Sequence, residues 1–206
     1  MWERGWSFIK KAGTIILLST IFVWFTSRFG WLDGQFGMLE EDQISASILA
    51  KIGNAICWIF APLGWGNWQA TVASITGLVA KENIVGTLGV LYSGGAGTVY
   101  DAIAAAFNGI TGYSFLVFNL LCAPCFAAIG AIKREMNSPK WTWFAIGYQC
   151  GFAYAVALMI NQFGGLFTGN ANIIGVIAAV IVLAAIIYML VRPYKEATKL
   201  TTKVEM

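Results

Sequence analysis

Long apolar runs separated by short polar stretches dominate the pattern of this chain. A helix needs roughly 20 mainly apolar residues to cross a bilayer. The first run covers residues 12–26, and it begins near Phe8 if Lys10 and Lys11 extend their stems along the apolar surface. Five further runs follow, at residues 44–63, 68–92, 114–132, 141–163 and 172–191. The pattern predicts an all-α, polytopic helical membrane protein with about six membrane segments.

Residues 44–92 are the least regular part of this pattern. The run 44–63 is interrupted by Lys51 and stopped by Pro62, and residues 62–67 have the composition of a turn. The tryptophans that flank this turn are typical of a membrane–water interface; they are Trp58, Trp65 and Trp68. We expect a hairpin here that either crosses the membrane or re-enters it.

Composition and charge agree with lipid as the solvent. Hydrophobic residues make up 58% of the chain and charged residues 11%, whereas soluble domains carry about 25% charged residues. The net charge of +3 is too small to indicate nucleic acid binding. Basic residues lie before the first run, between the fourth and fifth, and after the sixth, whereas the polar stretch 28–43 is mainly acidic. Both termini are therefore predicted to be cytoplasmic, with a membrane domain at 1–193 and a basic cytoplasmic tail at 194–206.

The Cys122-Ala123-Pro124-Cys125 stretch lies inside an apolar run. An i, i+3 spacing puts both cysteines on one face of a helix, and Pro124 leaves the carbonyl near Leu120 without its amide partner. Freed carbonyls and thiols form a soft, exchangeable site for Fe²⁺, Cu⁺ or Zn²⁺. Alternatively, the cysteines pack as small hydrophobic side chains. The chain has no histidine and no second cysteine pair that would complete a structural zinc site.

The Lys81-Glu82-Asn83 triplet is a second signal, because it lies in the middle of an apolar run. A charge at the bilayer centre costs roughly 2.5–3.5 kcal/mol on insertion scales, and such residues usually face a bundle interior or a water path. Glu82 is then an oxygen ligand or a proton carrier. Alternatively, Glu82 accepts hydrogen bonds from a helix end or pairs with Lys51.

Other polar positions carry weaker signals. Cys150 and Asn161 lie in the run 141–163, where they either line the same cavity or simply pack. We also expect a short helix at residues 99–107, lying at the interface. All cysteines lie within apolar segments, so we interpret them as reduced thiols. No G-x-x-x-x-G-K-[ST] phosphate loop and no nucleophile–base pair is present, so an enzyme is not expected.

Four segments resemble the second Gate region of the ferrous iron transport protein B family (FeoB). They are WERGWSFIKKAGTII at 2–16, GLVAKENIVGT at 77–87, LCAPC at 121–125 and AIGAIKRE at 128–135. The likeness runs over most of the chain and in the family's order. We therefore expect the chain to be the C-terminal membrane portion of such a transporter, as a fragment or as one product of a split gene.

The resemblance implies the permease portion of an Fe²⁺ importer of the bacterial inner membrane. It implies that Cys122 and Cys125 are transient Fe²⁺ ligands and that Glu82 is an oxygen ligand or gate residue, with Asn83 and Cys150 as second choices. Fe²⁺ would be the transported ion, with no permanently bound cofactor. The implied partners are the G-protein domain that hydrolyses GTP, the first Gate half, a small soluble accessory protein and a second copy of the chain.

Two other functions stay open at this point. One is a carrier for a nucleoside or another small molecule built on Gate-type helices, and the other is a membrane scaffold that binds another subunit. The cysteines discriminate between ion and organic substrate, because an organic substrate does not need them.

Overall fold

The fold was analysed in a computed structural model, which describes residues 13–14, 17–18, 21–22, 24–32, 35–39, 41–79, 81–92, 98–169 and 172–192. The described residues of the first predicted run are helical. The other residues of that run, and the predicted tail 194–206, lie outside the described part.

A small hairpin follows the first run, where a polar loop was predicted. Strand β1 (Phe29–Leu32) pairs antiparallel with β2 (Gln35–Met38), and Phe29 lies opposite Met38. Aromatic side chains stabilise it, since the rings of Trp31 and Phe36 are 5.1 Å apart. Large apolar residues alternate with glycine along both strands of this mainly acidic stretch, and the prediction of a polar loop did not take that alternation into account. The all-α class therefore holds for the bundle but not for this hairpin.

Helices joined by short irregular segments make up the rest of the described chain. Two 3₁₀ helices, Glu41–Ala46 and Cys57–Leu63, precede and follow the first α-helix. The α-helices are α1 (Ile48–Ile56), α2 (Trp68–Val79), α3 (Asn83–Leu91), α4 (Val99–Ala106), α5 (Gly109–Leu121), α6 (Phe126–Met136), α7 (Pro139–Thr168) and α8 (Ile173–Val191). The short helix predicted at 99–107 is present as α4.

Among the described residues, two helices are long and apolar enough to cross a membrane. They are α7 with 30 residues and α8 with 19 residues, and they match the predicted runs 141–163 and 172–191. Two bent pairs also qualify if each is one span: Ile48–Leu63 with Trp68–Leu78, at 97°, and Val99–Ala106 with Gly109–Leu121, at 94°. The described structure therefore supports two to four crossings, and the prediction of six is not confirmed.

The turn of the first bent pair lies inside the bundle. The 3₁₀ helix Cys57–Leu63 ends at Gly64, whose φ of 91° reverses the chain. The next residue, Trp65, is only 1% exposed and stacks on Phe60 at 4.6 Å between ring centroids. The prediction of an interfacial Trp65 was therefore wrong, whereas Trp58 is 69% exposed. A turn buried inside a bundle and a turn at the membrane interface have similar compositions, so composition did not separate them.

Helices α5 and α7 pack closely around this turn. Ala153 and Ala157 of α7 are fully buried, and small residues allow helix backbones to approach one another. Ser114 of α5 is fully buried, and its hydroxyl lies 3.0 Å from the carbonyl oxygens of both Leu63 and Ala157. This hydroxyl joins the turn, α5 and α7 at one point.

Candidate functional site

The Cys122–Cys125 stretch is a break between two helices. Helix α5 ends at Leu121 and α6 begins at Phe126, and the backbone at Cys122 and Cys125 is extended, with ψ of 164° and 160°. Neither cysteine therefore lies within a helix, and the prediction that both share one helix face was wrong. Because Pro124 has no N–H, the carbonyl of Leu120 lacks its usual donor four residues later. A break at membrane depth requires protein groups that replace such lost hydrogen bonds.

The ammonium of Lys81 supplies the missing donor. Its Nζ donates to the carbonyl oxygen of Leu120 at 3.0 Å and to that of Cys122 at 3.3 Å. Lys81 lies in a second break, between the end of α2 at Val79 and the start of α3 at Asn83. These two helix breaks are therefore joined by one charged side chain. Both parts of this contact were visible in the sequence, but only the fold connects them.

A thiol pair lies at the first break. The Sγ atom of Cys122 is 3.6 Å from the Sγ atom of Cys150, which α7 positions from the opposite side. Both residues are half-buried, and all four cysteines of the chain are free thiols. The structure thus brings Cys122 together with Cys150, which the sequence ranked as a second choice.

The remaining predicted ligands lie at the ends of helices. Cys125 occupies the N-cap of α6 and Glu82 the N-cap of α3, and neither side chain caps its helix. Glu82 is exposed and Asn83 half-buried. The alternative partner of Glu82, Lys51, lies instead over the ring of Trp31 at 5.1 Å. Within the described residues, no group of three or more cysteine, aspartate or glutamate side chains is placed to hold a metal ion.

A cavity of about 810 Å³, lined by apolar and uncharged polar side chains, lies at the other end of α5 and α7. Its polar lining comes from uncharged side chains, and these include Asn108, Thr111, Asn161, Gln162, Thr168 and Asn172. Asn161 Nδ2 and Gln162 Nε2 donate to the carbonyl oxygen of Pro62, at 3.0 and 2.7 Å. These bonds supply donors to a carbonyl of the 3₁₀ helix next to the buried turn, so the chain tolerates irregular backbone there.

An apolar layer separates the cavity from the thiol pair. Along α5, Phe115 and Phe118 lie between Thr111 of the cavity and Cys122 of the break. Along α7, the apolar cluster includes Ala153, Ala157 and Leu158, which lie between Cys150 and Asn161. At 1.5 Å per residue, Cys150 and Asn161 are about 16 Å apart along the helix axis. The side chain of Trp65 fills the centre of this layer.

Apolar spans, a buried irregular turn and two helix breaks joined by a charged side chain define a helical membrane protein with broken helices. The family model described as "Gate: Nucleoside recognition" matches residues 9–139, more than half of the chain. The chain therefore belongs to the Gate family, and it is similar to the Gate region of the transporter FeoB.

Relatives named Fe(2+) transporter FeoB come from an archaeon and from bacteria. The Fe(2+) transporter FeoB of Methanocaldococcus jannaschii is 40% identical over 168 residues, which cover 80% of this chain and 25% of the relative. That of Staphylococcus aureus strain COL is 34% identical over 166 residues, covering 81% and 24%. A Porphyromonas gingivalis protein is 29% identical over 210 residues, covering 81% and 25%; it is named Fe(2+) transport protein A/Fe(2+) transporter FeoB fusion protein.

The chain thus spans about a quarter of the length of the curated relatives it matches. No solved structure matches it significantly. The family is established by sequence, and the arrangement of the two helix breaks comes from the structure described above.

Proposed function

We propose that this chain forms part of the path of a ferrous iron transporter and that Fe²⁺ contacts the thiols of Cys122 and Cys150 on its way. The observation that carries this proposal is the 3.6 Å thiol pair at a helix break. Its support from the comparisons is the printed name of the relatives, Fe(2+) transporter FeoB. Broken helices at the centre of a bundle are where transporters commonly place their ion sites.

The chemistry of the pair suits a passing Fe²⁺ ion. Sulfur ligands select soft and borderline metal ions, and carbonyl oxygens at the break add neutral ligands. A closed cage of four thiolates would hold the ion, whereas two half-buried sulfur ligands bind weakly enough for release. Each thiol gives its proton to water when Fe²⁺ binds and takes one back when the ion leaves. Cys125, Glu82 and Asn83 remain predicted ligands for neighbouring steps of the path, since both helix ends that carry them adjoin a break.

The 810 Å³ cavity is the proposed entrance of the path. With both termini cytoplasmic, the N-terminal end of α8, which lines the cavity, lies on the outer side of the membrane. A hydrated cation enters there and meets uncharged amide and hydroxyl groups. The apolar layer around Trp65 then closes the path in the described conformation, and the G-protein domain of the family is the proposed source of the energy that opens it.

Removal of the thiol pair tests this function. In cells that depend on this transporter for iron, Cys122→Ser together with Cys150→Ser should lower uptake of radiolabelled Fe²⁺ by about tenfold or more, as is usual when metal contacts are lost. Cys57→Ser is the matched control and should leave uptake unchanged, because the Cys57 thiol donates to the carbonyl of Asn54 in its own segment and takes no part in the thiol pair. Normal uptake by the double variant, at wild-type protein levels, would remove the ligand role.

A nucleoside carrier is the second candidate, favoured by the cavity and by the description of the matching family model. Small-molecule sites typically enclose about 300–1,000 Å³, and the 810 Å³ cavity has aromatic and amide groups suited to a base and a sugar. Saturable uptake of a radiolabelled nucleoside by proteoliposomes, unaffected by the double cysteine substitution, would support this function. Absence of such uptake alongside thiol-dependent Fe²⁺ uptake would exclude it.

A further inference from the structure

The end of α5 presents two carbonyl oxygens to one cation. The carbonyl of Leu120 lacks its usual donor because Pro124 has no N–H, and the carbonyl of Cys122 lies at the same break. The C-terminal end of a helix also carries a partial negative charge of roughly half an elementary charge. This position therefore attracts positive charge before any side chain is considered.

The group that occupies the position is the ammonium of Lys81. Its Nζ lies within 3.3 Å of both oxygens, although Lys81 comes from a different pair of helices about 40 residues earlier in the chain. Cys122 contributes to both features of the break, since its carbonyl accepts from Lys81 and its thiol lies 3.6 Å from that of Cys150. The carbonyl pair and the thiol pair thus meet at one residue.

We infer that the carbonyls of Leu120 and Cys122, together with the thiols of Cys122 and Cys150, form a single cation site whose resident occupant is the tethered ammonium of Lys81. This inference rests on the proposed function, because the exchanging cation is the divalent ion that the thiols contact. Ammonium and metal ion are both positive and repel each other strongly at such short distances, so they do not contact the two oxygens together. Binding of the ion therefore requires Lys81 to withdraw, which its flexible four-carbon stem permits.

A tethered cation makes the site selective as well as closed. It satisfies the carbonyls when no ion is present, so the break stays ordered at membrane depth. A monovalent ion gains little from the thiols and does not displace it, whereas a divalent ion that binds sulfur does. Lys81 thus sets the minimum affinity that an ion needs to enter the site.

The test compares divalent-ion binding by charge variants at position 81. The protein is purified in lipid nanodiscs, and binding of Co²⁺ under anaerobic conditions is followed by its sulfur-to-metal charge-transfer absorption. Lys81→Gln removes the charge but keeps a donor for the carbonyls, so the break remains capped. Because a hydrogen bond from a charged group no longer has to be broken, Lys81→Gln should bind Co²⁺ about tenfold to a hundredfold more tightly.

Two further variants separate charge from capping. Lys81→Arg retains the cation and should bind Co²⁺ no more tightly than the wild type, and Lys81→Met should gain affinity as Lys81→Gln does if it folds. Lys51→Met is the matched control, since Lys51 lies over Trp31 rather than at the break, and it should leave Co²⁺ binding unchanged.

The outcomes distinguish this inference from the proposed function. Equal or weaker Co²⁺ binding by Lys81→Gln would show that Lys81 only caps the helix, and it would overturn the tethered-cation site while leaving the thiol pair in place. Loss of Co²⁺ binding after Cys122→Ser with Cys150→Ser supports the shared site. Absence of thiol-dependent Co²⁺ binding in the wild type and in Lys81→Gln would overturn both proposals.

Discussion

Replacement of Trp65 by alanine would remove the side chain at the centre of the apolar layer. The Trp65 ring is 1% exposed, and its centroid lies 4.6 Å from that of Phe60, 5.1 Å from Phe115 and 5.3 Å from Phe118. Truncation of a buried tryptophan to alanine costs about 3–5 kcal/mol in protein cores. Lipid is as apolar as this core, so the loss is mainly one of van der Waals contacts. We therefore expect the lower end of that range, about 3 kcal/mol.

Reversible unfolding in mixed detergent and SDS micelles measures this free energy. Trp58→Ala is the matched control, because Trp58 lies in the same bent helix pair but is 69% exposed; its cost should stay within about 0.5 kcal/mol. Trp65→Phe should fall between the two. It keeps the aromatic stack and removes the indole Nε1–H, which is buried without a partner among the described residues. Equal losses for Trp65→Ala and Trp58→Ala would refute the placement of the turn inside the bundle.

Two further predictions concern the turn and the thiol pair. Gly64→Ala should destabilise the protein by more than about 2 kcal/mol, because φ is 91° and the new Cβ would meet Asn161 Oδ1. Gly169→Ala is the control: φ is 74° there but the space around it is open, so it should cost only the roughly 1–2 kcal/mol of the left-handed conformation. The same unfolding assay measures both free energies. A short crosslinker with two thiol-reactive, alkylating ends should join Cys122 to Cys150 and omit Cys57, as mass spectrometry of the tryptic peptides would show. Absence of this crosslink would contradict the packing of the break against α7.

The amino-acid sequence predicts the helices of this bundle better than it predicts their breaks. The runs that became α7 and α8 are long, mainly apolar and free of charged residues, so their length and composition identify them. Pro124 identifies one break, because a residue without an N–H cannot continue the helix. The break at Lys81 was indicated by its charges, which are costly at membrane depth.

The composition of the candidate site was harder to predict than its location. The i, i+3 argument paired Cys122 with Cys125 by assuming a continuous helix, although Pro124 itself argued against one. The actual neighbour, Cys150, comes from another helix, and the side-chain contacts between α5 and α7 that bring it near are not encoded in any local pattern. The same holds for Lys81 and the carbonyl of Leu120, which lie in different helix pairs.

The contacts of α5 differ between its two ends, and this difference bears on how a path would open. In its first half, Ser114 joins α5 to the carbonyls of Leu63 and Ala157, and side chains of α7 hold the same 3₁₀ segment. At its Leu121 end, the described side-chain hydrogen bonds of the break are those from Lys81 and the contact between two thiols. Sulfur contacts are weak, so this end is the less firmly held one once Lys81 withdraws. We expect an ion that displaces Lys81 to shift the break against α7. The yield of the Cys122–Cys150 crosslink should therefore change when Fe²⁺ is added, and a yield independent of Fe²⁺ would contradict this reasoning.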